Sequence, residues 1–199
     1  MPAAFDSLKL AALLGLALAA ALIVAASASA HWDAAVVLAL VLRVVHVLLA
    51  AVWIGLIVFM NLIHIPAIEA ADDAGRAAIV KGYVPKIASS FLHLAHGTVV
   101  SGVLLLVPAG YAFSRLVYGA SVYIPPGRNI MLGIGVLGGL AMWAVVYFVV
   151  APRLAAIADP ATQPAVRGEA RVVVKRYARL NLLLLLPVTA AMIAAAHVL

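Results

Sequence analysis

Five apolar stretches, roughly Ala11–Ala28, Ala35–Ile63, Ile87–Phe113, Ile130–Val150 and Leu180–Val198, dominate this chain of 199 residues. Each meets or approaches the ~20 apolar residues that a helix needs to cross a bilayer. Inside the hydrocarbon no water is available to a peptide N–H or C=O, so such stretches must be helical. The sequence is 67% hydrophobic and 10% charged, with a mean hydropathy of +1.21. A soluble domain is about half apolar and could not hide the excess. The expectation is an all-α polytopic membrane bundle: five transmembrane helices forming one membrane domain over residues 1–199.

The features between the spans are modest. The first apolar run ends in Ala28-Ser29-Ala30, which resembles a secretory cleavage site, but the run is long for a signal h-region and is read as the first span. Pro108 and Pro187 are expected to kink or end spans three and five. In span four, Gly135 and Gly139 form a small-xxx-small pair that lets another backbone approach. Pro66–Lys86 reads as a short interfacial helix, and Pro152–Arg179 as helical after Pro164. From there Arg167, Arg171, Lys175 and Arg179 recur every four residues as one basic stripe.

Charge orients the chain. Lys9, Arg76, Lys81, Lys86, Arg153 and the basic stripe share one side, against Arg115 and Arg128 on the other. By the positive-inside rule the first side is cytoplasmic, giving a multi-pass protein of the bacterial inner membrane with its N-terminus in and its C-terminus out. The net charge of +6 therefore orients the protein and implies no nucleic acid. With no cysteine, disulfides, thiolate-bound metals and thiol nucleophiles are excluded.

Ionisable residues within spans are costly and therefore informative. Here they are Arg43, His46, His64, His93, His96 and His197. A single buried histidine is more often a hydrogen-bonded helix contact than a ligand. Several on facing spans suit the axial ligation of b-type haem. His46 and His64 are 18 residues apart on one helical face that also carries Trp53, which places them about 27 Å apart along the axis. Axial ligands must share a depth. His46 and His197 both fall in the outer part of the membrane and match best. His64 with His93, about 10 Å apart in depth, comes next, and His46 with His96 would need a mismatch of about 12 Å. Arg43, one turn before His46, has two readings: a partner for a haem propionate or other buried anion, or a snorkelling cation. No His-Glu-x-x-His, intramembrane carboxylate or strand-borne glycine loop supports another site.

Span two reads Arg43-Val-Val-His46 and then, after six residues, Trp53-Ile-Gly55. This resembles the helix of the urate hydroxylase (urate oxidase N-terminal) membrane-domain family, to which copper-resistance D-type and membrane protoporphyrinogen oxidase proteins are related. Met142-Trp143 through Ala151-Pro152-Arg153, and Arg179-Leu-Asn181 through Pro187, resemble two later segments of the family. The ordered set makes residues 35–199 a family-like core, preceded by an extra helix over 9–30.

The resemblance implies a membrane module working with electron transfer, in some members fused to a cytochrome c. The c-type haem does not carry over, because Cys-x-x-Cys-His is missing. Arg43, His46 and Trp53 carry over from the motif, whereas His64, His93, His96 and His197 come from depth and helix phase.

The leading expectation is therefore an electron-transfer protein holding one or two b haems, with His46, His197, His64 and His93 as iron ligands. His96, Arg43 and Trp53 would complete the cofactor-binding set. Such a protein would be one subunit of a membrane redox complex, beside other membrane subunits or a cytochrome. Two alternatives stand beside it: a cofactor-free structural or assembly subunit, and a membrane oxidoreductase acting on urate or a related purine.

Overall fold

A computed structural model describes residues 7–30, 34–107 and 126–197. All of their regular structure is helical. α1 spans Leu8–Ala30 and α2 Ala34–Phe59; a π-helical turn at Met60–His64 leads into α3, Ile65–Ala70. α4 (Asp73–Gly82) and α5 (Val84–Leu106) complete the first half. α6 (Pro126–Ala144) runs through a second π-helical turn, Val145–Val150, into α7 (Ala151–Ala158), and α8 fills Pro164–His197. Among the described residues, five helical segments are long and apolar enough to cross a membrane. The protein is a multi-pass membrane helical bundle.

Several helices outrun their apolar cores. The segment 34–70 is 37 residues long and 127–158 is 32, or about 55 and 48 Å at 1.5 Å per residue. A hydrocarbon layer is about 30 Å thick, so these helices project beyond it. α8 does the same with 34 residues. Its basic stripe and its last span form one uninterrupted helix from Pro164, and Pro187 lies inside it without ending it. Pro66–Lys86 proves to be the end of α3, then α4, then the first turn of α5. Asp72 caps α4, its Oδ1 accepting from the Gly75 N–H at 2.8 Å. Pro108 and Arg115 lie outside the described residues.

Both π-helical turns have the same cause. Each closes with an i→i−5 bond, from Ile65 to Met60 and from Ala151 to Val146. Each closing residue immediately precedes a proline, Pro66 or Pro152. A proline inside a helix lacks the N–H and presses its ring on the carbonyl four residues back. Widening the preceding turn by one residue relieves that clash and leaves a local bend.

The helices pack as two hairpins, α2 on α5 and α6 on α8. Within the membrane-spanning half, Trp53, Ile57, Ala95, Met142, Val146 and Leu185 join the hairpins in one core. A second core of Val150, Ile157, Ala170 and Val174 lies toward the projecting ends. Asn61 Nδ2 ties the first π turn to α8 by donating to the Ile57 and Ala178 carbonyls at 2.9 and 3.1 Å. Buried Asn181 donates to the Met142 carbonyl at 3.4 Å. Arg128 Nε donates to the Ala195 carbonyl at 2.9 Å, satisfying an acceptor that the last turn of α8 would otherwise leave open. By contrast, leucines along α1 such as Leu13, Leu16 and Leu22 are exposed, a surface that lipid or another chain must solvate.

Candidate functional site

The four histidines whose side chains are described fall in four different environments. His46 lies on α2 where it crosses α5. Its Nδ1 is 2.9 Å from the Thr98 carbonyl oxygen and 3.3 Å from Ser101 Oγ, so the ring N–H donates across the interface. The ring fills a notch left by Gly102, where an added Cβ would stand 2.8 Å from Cε1. One turn along α2, Leu49 fills the matching notch at Gly97, at 3.0 Å from such a Cβ. Gly97, Thr98, Ser101 and Gly102 together make a face of α5 shaped to this partner. The Ser101 hydroxyl, buried, donates back to the Gly97 carbonyl at 2.6 Å.

His96 is on the opposite side of α5. Counting 100° per residue, it lies roughly across the helix axis from the face that holds Thr98, Ser101 and Gly102. Its Nδ1 donates to the Leu92 carbonyl at 2.9 Å. The ring meets Trp143 and Tyr147 edge-on, with centroids 5.5 and 5.2 Å away, and those two rings stack on each other at 5.6 Å. His93 is exposed, its Nδ1 donating to the Ser89 carbonyl at 2.7 Å.

His64 is buried at the end of the first π turn, against Phe59 and Tyr83 with ring centroids 6.3 and 5.1 Å away. Tyr83 caps the start of α5. His93 stands ten residues farther on, about 15 Å along the axis, so the structure sets His64 and His93 apart. The backbone of His197 closes α8, but its side chain lies outside the described residues, and so does the pairing of His46 with His197.

Trp53 is buried, its ring edge-on to Phe91 at 6.5 Å. Arg43 is exposed on α2, nine residues from its start, or about 14 Å along the axis. The structure does not join it to the His46 interface.

A haem held by two histidines needs both imidazoles at one level with a flat gap between them. His46 spends its space on the Gly102 notch, His96 on an aromatic pair across the helix, His93 on the outer surface and His64 on Tyr83. No group of three or more His, Cys, Asp or Glu that could hold a metal ion occurs among the described residues.

Sequence reasoning missed Gly97, Gly102, Thr98 and Ser101. The signal for them was present in Gly97 and Gly102, two small residues in a span whose partner helix carries a histidine. For α6 the expected glycine pair needs correction. Gly135 and Gly138 face α8, whereas Gly139 has nothing within 4 Å of an added Cβ. Comparison with protein-family models, curated proteins and solved structures finds no match.

Proposed function

We propose that this protein is a structural subunit of a larger membrane complex, its histidines serving helix packing rather than iron ligation. The carrying observation is His46, which bridges α2 and α5 through the Thr98 carbonyl and fills the Gly102 notch. An intramembrane ring used in this way stabilises the helix pair by about 0.6–1.7 kcal/mol. Two surfaces support a role beside other chains. Most described side chains of α1 are exposed, and Arg43 is exposed at a depth where an isolated cation is costly. The distribution of lysine and arginine supports a cytoplasmic N-terminus and an outer C-terminus. The projecting ends and the second core would then face the cytoplasm of a bacterial cell.

One observation favours the electron-transfer reading. His46, His93 and His96 all direct Nδ1 at a backbone carbonyl. That leaves the lone pair on Nε2, the tautomer that metal-ligating imidazoles use. The resemblance to the urate hydroxylase membrane family supports the same reading, with oxidation of urate or a related purine as its enzymatic form.

A reduced-minus-oxidised visible spectrum of the purified protein, with metal analysis, separates the readings. The scaffold reading expects a flat spectrum and a His46→Ala variant that is less stable and spectrally unchanged. A stoichiometric Soret band that His46→Ala abolishes would overturn it.

A further inference from the structure

The first π turn, α3, α4, α5, α7 and α8 line a half-open cavity of about 320 Å³. That volume is at the small end for ligand sites, which run to about 300–1,000 Å³. Met60, Val84, Ile157 and Val174 contribute apolar walls. The polar residues on the cavity are His64, Glu69, Arg76 and Arg171.

Two of these four are committed elsewhere. Glu69 is ion-paired with Lys175. Arg76 lies 3.6 Å from Asp73 and donates to the Ile68 and Ala71 carbonyls at the end of α3. The other two are free. His64 is 94% buried, at 6% relative exposure, and its ring nitrogens have no hydrogen-bond partner among the described residues. Arg171 is exposed at the rim, with no ion pair among the described residues. Neither ring nitrogen is among the fully buried unpartnered polar atoms, so each keeps some access from outside and can be reached by a ligand. A group to which an imidazole N–H and a guanidinium can both donate is a carboxylate or similar acid group.

We propose that this cavity binds a single-chain acidic amphiphile, with its acid group between His64 and Arg171 and its chain against the apolar wall. The cavity is too small for a whole two-chain lipid, and its wall pairs an apolar lining with His64 and Arg171, as a single-chain amphiphile requires. This assignment rests on the scaffold reading in one respect: His64 must not be an iron ligand, and a flat visible spectrum checks that separately from the binding assay.

The test uses the full chain in phosphatidylcholine nanodiscs, with radiolabelled decanoate as probe and decanol and inorganic phosphate as comparators. Decanoate is expected to bind saturably at one site per chain, with decanol at least about tenfold weaker because it forgoes a charge-assisted hydrogen bond. Phosphate, lacking a chain, is expected not to compete. Arg171→Gln should weaken decanoate about tenfold, and His64→Phe, which keeps the ring stack, should weaken it as well. Arg176→Gln, on the same helix but off the cavity, should leave binding unchanged. Non-saturable uptake, equal binding of decanol, effective competition by phosphate, or an unaltered affinity in Arg171→Gln would each overturn the assignment.

Discussion

The two hairpins solve one packing problem with different chemistry. In both, a glycine on one helix admits a large side chain from the other. In α2 on α5 the intruder at Gly102 is His46, fastened by a hydrogen bond to the Thr98 carbonyl. In α6 on α8 the intruders are Met192 at Gly135 and Val188 at Gly138, both apolar. Lipid is as apolar as leucine, so no hydrophobic force draws helices together within it, and close packing and hydrogen bonds must do so. The first hairpin uses both and the second relies on fit at these positions. A polar residue in a span is therefore no evidence of chemistry until its partner is known.

The comparison can be broken by adding single methyl groups and measuring unfolding in detergent. Gly138→Ala should cost most, about 3 kcal/mol, because its Cβ would stand 2.4 Å from Val188 Cγ2. Val188 is β-branched and held to one rotamer in a helix, so it cannot swing aside; Val188→Ala should restore much of the loss. Gly102→Ala should cost about 2 kcal/mol, and in combination with His46→Ala the loss should fall well short of the sum. Additivity at this pair would mean that the ring does not occupy the notch.

Gly135→Ala should cost about 1 kcal/mol, although its Cβ would come within 2.8 Å of Met192 Sδ. The unbranched methionine can re-pack where the valine cannot. Gly139→Ala is the smallest change, expected to be neutral or stabilising by up to about 1 kcal/mol, since nothing lies within 4 Å. A large loss there would return the helix contact to the Gly135 and Gly139 face.

How much of this was legible differs between the fold and the site. The spans were readable because each apolar run declares its own helix, and helix formation starting at Pro164 was read correctly. The ends of α2 and α6 were not, since the chain stays helical beyond each apolar run, into α3 and α7 past Pro66 and Pro152. At the site, the depth of each histidine could be counted along its own helix. The direction each ring faces relative to a neighbouring helix could not, because that depends on how the other helix is rotated. Asn181 entered through a motif, whereas Asn61, which makes an equivalent tie, belonged to none.

The sequence alone determined the helical class and the apolar stretches long enough to cross a membrane. Both follow from a local requirement: a peptide group in lipid must bond within its own segment. Only the tertiary structure decided that His46 meets Gly102, that His96 turns away to Trp143, and that His64 borders a cavity with Arg171. Those outcomes depend on the relative rotation and register of whole helices, which the packing of small against large residues sets.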